Sequence, residues 1–379
     1  MKKIMWKPRK FFRSSGSIVL FVLFFLLLFS CERHTEPLEI GLSVNLSGTG
    51  GAAGEHVRNG VQLAVREINK AGGINGRPLK LIIKDDTGTP KGAVAADKQL
   101  VRAGVPVIVG HNRSSTTLAG YPVVTSHDIL LMTACSATTR LTGKKDFFVR
   151  TCVDCNLYGK KTAKLLQDNN IHSVAFLMDM ANPGFVTDYA RSTAKYFPGQ
   201  ISKVLFRSGN TEDWDRLIKK LIRPQPDAVI LLTEATMTGM ALQKLKFFRY
   251  RGMKIATLWT QTPELFKYSG GAAEGLNLVT YVNPELDSPE YKRFQKKMES
   301  HFHEKANARS ASSYELMMIL ARAMRSAENL QGKGILKALI SRKYQGLMGT
   351  VAFDEFGDVI RPVYQVQVRG GRFVLDREI

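Results

Sequence analysis

Two clusters of hydroxyls in this sequence have the types and spacing to do chemistry. Ser114 and Ser115 follow the apolar run Val107-Ile108-Val109-Gly110, and Ser136, Thr138 and Thr139 follow Leu130-Leu131-Met132-Thr133. Hydroxyls beside the free N–H groups at a helix start form a donor array suited to a carboxylate or other small anion. The competing reading is that they only cap helices. A nucleophile is the third option, because His111 lies near Ser114, but three residues across a turn do not set an attack geometry. The sequence contains no GxSxG, GxxxxGK[ST] or HExxH motif. Asp85-Asp86 has no evident basic or nucleophilic partner, and His301-Phe302-His303-Glu304 reads as a solvated surface helix. No catalytic residue, metal-ligand set or cofactor is therefore expected.

Cys152-Val153-Asp154-Cys155 has the spacing of a redox or metal motif, with another thiol at Cys135. One such pair without a second pair or nearby histidine makes a poor zinc site. Structural thiols remain, or a disulfide closed either within the motif or between Cys135 and Cys152. The fourth cysteine, Cys31, belongs to the leader. Lys2, Lys3, Lys7, Arg9, Lys10 and Arg13 precede the apolar run Ile18 to Phe29. As a helix that run would reach only about 18 Å, short of the ~30 Å hydrocarbon core, so it reads as a secretory signal rather than a span. Leu28-Phe29-Ser30-Cys31 resembles a bacterial lipobox, in which the Cys31 thiol would be lipidated and hold the chain on a membrane. The formal charge is +21; without the six leader cations, 48 basic residues face 33 acidic ones, a balance of +15. Those cations are scattered and lack interleaved aromatics, so nucleic acid is not an expected partner.

The hydroxyls need a scaffold to bring them together, and the periodicity supplies one. "LEIGLSVNLSG", "LKLIIKDD" and "VPVIVG" read as strands separated by helical spacing, and the alternation continues to about Trp259. Thr89-Pro90 marks a helix start, with a cap oxygen and then a residue whose missing N–H costs nothing. Strands separated by single helices imply parallel sheets with right-handed crossovers. A single sheet rarely exceeds about ten strands, so two α/β lobes are expected. The tail differs: helices at Ala311 to Glu328 and Ile335 to Ser341 precede a segment with the alternation and turns of antiparallel strands. In open α/β sheets ligands bind beyond the carboxyl ends of strands, where both hydroxyl clusters fall.

The stretch from Gly41 to Val101 resembles the leucine/isoleucine/valine-binding family of periplasmic solute-binding proteins. Gly72-Gly73-Ile74-Asn75-Gly76, Asp85-Asp86, Gly110-His111 with Ser114-Ser115, and Ser136-Ala137-Thr138 carry the likeness. "FVRT", Ala273-Glu274-Gly275 and "FDEFGDV" extend it over nearly the whole mature chain. The resemblance implies a type I binding-protein fold, in which two Rossmann-like lobes with parallel sheets are joined by a three-stranded hinge. It implies a leader at 1–30, a linker at 31–37, lobe I at 38–154 and 283–348, and lobe II at 155–282 and 349–379. Crossovers would lie near Asp154, Val282 and Met348. It further implies that Ser114, with Ser115, Ser136 and Thr138, holds a ligand carboxylate in an interlobe cleft. The family's partner for the ligand ammonium aligns with Gln261, which is not a carboxylate. Either Glu234 from a neighbouring strand end takes that role, or the ligand is not an α-amino acid and Trp259 is an apolar wall. The implied function is a lipid-anchored, extracytoplasmic receptor that delivers a branched-chain amino acid or related small carboxylate or amide to ABC permease subunits. The alternative is a ligand sensor reporting to a signalling protein.

Overall fold

The computed structural model describes residues 1–5, 36–209 and 213–379. All but residues 1–5 of the leader expected at 1–30, and the lipidation expected at Cys31, lie outside the described residues. Pro37–Ile379 forms one compact unit, and Met1–Glu36 is a separate one.

The alternating first part builds two sheets. Strands β1 (Leu38–Val44), β2 (Leu79–Asp85), β3 (Val107–Gly110), β4 (Leu130–Thr133) and β5 (Phe148–Arg150) are parallel, in the order β2-β1-β3-β4-β5. Both faces of β1 are covered: Ile40, Leu42 and Val44 are fully buried, and so is Ser43 on the opposite face. Helices on both sides of a parallel sheet cause this, so the strand reads as a nearly continuous apolar run. The second sheet holds β6 (Ser173–Asp179), β7 (Gln200–Phe206), β8 (Ala228–Leu232), β9 (Met253–Thr257) and β10 (Asn277–Thr280), all parallel. The tail strands β14 (Tyr364–Arg369) and β15 (Arg372–Glu378) extend its edge in the antiparallel sense. Between β10 and β14 in sequence come β11 (Tyr344–Gly346), β12 (Gly349–Phe353) and β13 (Val359–Ile360), a small antiparallel sheet. The architecture is α/β, with one parallel and one mixed sheet, as the alternation followed by a period-2 tail implied.

Helices α1 (Gly51–Lys70), α2 (Pro90–Arg102) and α3 (Ser114–Thr125) connect the first sheet. Helices α4 (Cys155–Asp168), α5 (Pro183–Tyr196), α6 (Trp214–Ile222), α7 (Ala235–Phe247) and the short α8 (Glu264–Ser269) serve the second. Then come α9 (Pro289–Phe302), α10 (Ala308–Ser326) and α11 (Gly332–Ile340). Thr89 caps α2 by accepting the Gly92 N–H at 3.0 Å, with Pro90 next, as its sequence implied. Helices α4, α7 and α10 start three or four residues before their apolar periodicity does. Asp154 accepts the Leu157 N–H at 2.9 Å, Glu234 the Met237 N–H at 3.2 Å, and Asn307 forms a capping box with Ser310. A capped first turn needs little apolar surface of its own. Helix α10 lies against α1 where Gly60 permits it: a Cβ there would come within 2.3 Å of the Ser310 carbonyl oxygen.

The chain passes between the two sheets three times, after β5, after β10 and after β13. One buried ion pair touches all three passages. Glu315, fully buried in α10, accepts from Arg361 Nη1 at 2.9 Å and from the Met348 N–H at 2.8 Å. Arg361 also donates to the Thr151 carbonyl at 3.0 Å, and its guanidinium stands 4.7 Å from the centre of the Tyr281 ring. Further along, the Arg150 N–H donates to the Gly357 carbonyl and its guanidinium pairs with Asp358 at 2.6 Å. Residues beyond Met348 are thereby drawn towards the five-stranded sheet. Breaking a buried pair from one side strands the other charge, at a cost of about 3–5 kcal/mol. Glu315→Ala is expected to lose stability of that size in urea unfolding, well beyond the effect of an exposed substitution.

Candidate functional site

Strands β3 and β4 deliver both hydroxyl clusters to one place. Ser114 opens α3 and is buried, and its Oγ accepts the Ala137 N–H at 3.2 Å, joining the two strand-end loops. Ser115 reaches the other sheet's half: its N–H donates to Asn182 Oδ1 at 3.1 Å, and its Oγ accepts the Gly184 N–H at 2.9 Å. Thr138 donates to Asp188 Oδ2 at 2.7 Å, and the Thr139 N–H donates to the same oxygen at 3.0 Å. Asn182, Gly184 and Asp188 belong to the start of α5, so both contacts bridge the halves. Ser136 is different. It is fully buried, and its Oγ has no hydrogen-bond partner among the described residues.

Beside these loops lies a small cavity of about 20 Å³, room for little more than one water until the surrounding halves part. Cys135, Ala137 and Cys152 line it from the strand-end loops of the five-stranded sheet. The opposite wall is apolar. Phe185 and Trp259 meet edge to face with ring centroids 5.7 Å apart, next to Leu258 and Tyr158. The Tyr158 hydroxyl is buried without a partner. Trp259 is therefore a cavity wall and a core residue at once, since it also packs in the main apolar cluster. Asn112, Asn182 and Arg309 supply the polar lining.

Glu234 and Gln261 stand apart from that lining. Gln261 Nε2 donates to the Val282 carbonyl at 3.1 Å, and its Oε1 accepts from Thr280 Oγ1 at 2.7 Å. Both ends of its amide are thus held by the end of β10. Glu234 caps α7, and burial raises its pKa against the pull of the backbone amides and of Arg113. Arg113 donates to the carbonyls of Thr49 and Gly88. Burial lowers its pKa, opposed by the charges of Asp179, Glu234 and Asp86. The strand-end carboxylates of the second half are therefore balanced against a protein cation.

None of Cys152, Cys155 and His111 offers a reactive group. Cys135, Cys152 and Cys155 are all free, so the structural-thiol reading holds and the disulfide does not. Burial pushes the Cys152 thiol up to about 12 and raises Cys155 well above its usual range, the opposite of a reactive thiolate. His111 Nε2 lies 3.2 Å from Asp97, and both side chains are fully enclosed. Among the described residues no group of three or more His, Cys, Asp or Glu could hold a metal, and no helix is long and apolar enough to cross a membrane.

Sequence reasoning did not single out Arg309, Asn112, Asn182, Phe185 or Tyr158. One signal for Arg309 was present: a cation in the first turn of a helix opposes the macrodipole. The reading of His301 to Glu304 as solvated fails at its last residue. Glu304 Oε1 lies 2.7 Å from His56 Nδ1, and Oε2 accepts from Asn59 at 2.7 Å. The periodicity could not show α1 passing beside it. His56 Nε2 reaches Glu264 Oε1 at 3.1 Å, so one imidazolium links α1 to α8 across the halves.

Comparison with known proteins gives a consistent set of likenesses. A family model described as periplasmic binding protein matches residues 37–372. The leucine-, isoleucine-, valine-, threonine- and alanine-binding protein of Pseudomonas aeruginosa is 24% identical over 347 residues, covering 87% of this chain and 89% of that protein. A branched-chain amino acid transporter substrate binding protein from Streptococcus pneumoniae, solved with isoleucine, superimposes with a TM-score of 0.81 at 20% identity, covering 90% and 99%. A solute binding protein of an ABC transporter from R. palustris, solved with benzoate, gives 0.80 at 16% identity, covering 90% and 96%. At these identities the structural likenesses speak for the fold alone.

The bridge at His56 has a pH signature. Burial pulls its pKa down, but hydrogen bonds to Glu264 and Glu304 and their charges outweigh it and raise it from 6.5 to about 9. A folded-state pKa above the unfolded one adds stability that is full below pH 6.5 and lost as pH rises towards 9, here about 3 kcal/mol. Chemical unfolding of wild type and His56→Gln is expected to differ most near pH 6 and to converge near pH 9.5.

Proposed function

The chain belongs to the periplasmic binding protein family, whose members bind solutes rather than convert them, and on that premise we propose an extracytoplasmic receptor for an ABC importer. It takes a branched-chain amino acid, or a related small carboxylate or amide, into the cavity between its sheets. The observation that carries this reading is the placement of the cavity. It lies beyond the carboxyl ends of strands in both sheets, with an apolar wall and polar groups left unpaired. The isoleucine and benzoate held by the two solved relatives share a carboxylate, the group a hydroxyl and amide array suits.

In this reading two lobes, 38–154 with 283–360 and 155–282 with 361–379, close on the solute about the three passages. The last boundary lies after β13 rather than at the expected Met348, because Gly357 and Asp358 are held by Arg150. Ser136 offers its unpaired hydroxyl to the ligand. Ser114 holds the two strand-end loops in register, and Ser115 and Thr138 fasten the closed state through Gly184 and Asp188. Glu234 and Gln261 shape the far side, Glu234 through Arg113 and Gln261 through the end of β10. Cys31 carries the lipid that keeps the protein on the periplasmic or extracellular face of a membrane, within reach of the permease subunits.

A ligand at 100 times its Kd adds about 2.7 kcal/mol to stability. A thermal-shift screen of leucine, isoleucine, valine, their keto acids and their amides is therefore expected to give a rise of several degrees for at least one compound. A flat response to all of them would sink the proposal. Independently, Cys31→Ser is expected to abolish lipid labelling and move the protein from the membrane fraction to the soluble one. Unchanged labelling would remove the anchor from the proposal.

A further inference from the structure

Arg309 is the one feature of the cavity that hydroxyl chemistry leaves unexplained. Its residue is 4% exposed and lines the cavity, yet its side chain makes no hydrogen bond or ion pair among the described residues, and its Nε is buried without a partner. It also stands in the first turn of the 19-residue α10, where the helix dipole already presents positive charge. Arg113 adds a second cation within electrostatic reach. A buried guanidinium with no counter-charge is costly, and an anion in the cavity would relieve each of these penalties at once.

Nothing comparable awaits a ligand cation. No aspartate or glutamate lines the cavity. Asn112 Oδ1 already accepts the Asn45 N–H, and Asn182 Oδ1 the Ser115 N–H. Asp179 and Glu234, the nearest strand-end carboxylates of the second half, face Arg113. Asp179 Oδ1 takes the N–H groups of Ala181 and Ser208, and its Oδ2 is buried and unpaired but off the lining.

We infer that Arg309 is the anion receptor of the cavity and that the ligand is a monocarboxylate with an apolar body and no ammonium group. Its carboxylate pairs with Arg309, while its body lies against Phe185, Trp259 and Leu258. A zwitterionic amino acid would bring its ammonium against a lining whose one charged side chain is the Arg309 guanidinium. This inference rests on the binding-protein reading above and narrows it to one chemical class.

The test uses matched pairs on the purified full-length chain, by isothermal titration calorimetry. These are 4-methyl-2-oxopentanoate with leucine and leucinamide, and 3-phenylpropanoate with phenylalanine. At least one monocarboxylate is expected to bind about tenfold or more tighter than its amino acid counterpart. Arg309→Gln should weaken that acid about 100-fold, and Arg309→Lys should recover part of the loss. A readout without ligand guards against misfolding: Arg309→Met removes a stranded cation and should raise the melting temperature of the ligand-free protein while abolishing the shift caused by the acid. Tighter binding of the amino acid, or undiminished binding of the acid to Arg309→Gln, overturns the inference and leaves the binding-protein reading standing. Failure of every acid, amino acid and amide to bind overturns both.

Discussion

The Glu315–Arg361 pair is the constraint on which the arrangement of the two sheets depends. Each sheet is locally self-sufficient, with its own parallel ladder and covering helices. What relates them is three short passages of chain, and one carboxylate and one guanidinium meet all of them, through Thr151, Tyr281 and Arg361 itself. Such a pair adds little net stability over an apolar substitute, because desolvation consumes most of the attraction. What it confers is definition. A carboxylate has few acceptor directions, and here they are taken by a guanidinium and a backbone N–H. The passages therefore meet in one arrangement, where apolar packing alone would tolerate several.

Helix α10 links that junction to the cavity. Glu315 lies in the same helix as Arg309, and the close approach of α10 to α1 at Gly60 fixes the helix in depth and rotation. The charge in the chamber is thereby set by the element that also holds the passages. Opposite it, the carboxylates at the ends of β6 and β8 are balanced by Arg113. The lining is cationic because its one charged side chain is Arg309, while the nearby carboxylates stand off it around Arg113.

Much of the fold was legible because parallel α/β architecture writes itself in periods: short apolar runs, helical spacing and cap residues such as Thr89. The misses have local causes. The helix expected from Ala311 starts at Ala308, because Asn307 holds a first turn that carries no apolar period. The site was legible in position more than in role. Strand-end logic put Ser114, Ser115, Ser136 and Thr138 beside the cavity, but it could not show that Ser115 and Thr138 would find Gly184 and Asp188 more than 45 residues away along the chain. Arg309 comes from a helix late in the sequence and enters the cavity only through the packing of α10 on α1. No spacing rule connects it to the strand ends.

The bonds from Ser115 to Gly184 and from Thr138 to Asp188 tie the two halves together beside the cavity. In the proposed reading a solute leaves only when they part, whatever its own contacts with the wall. Its dwell time is then governed by how often the protein itself parts, so solutes of unequal fit would leave on a similar clock. Discrimination must instead be exercised beforehand, in which occupants allow the halves to join at all. In such a design the seal keeps time and the interior does the choosing.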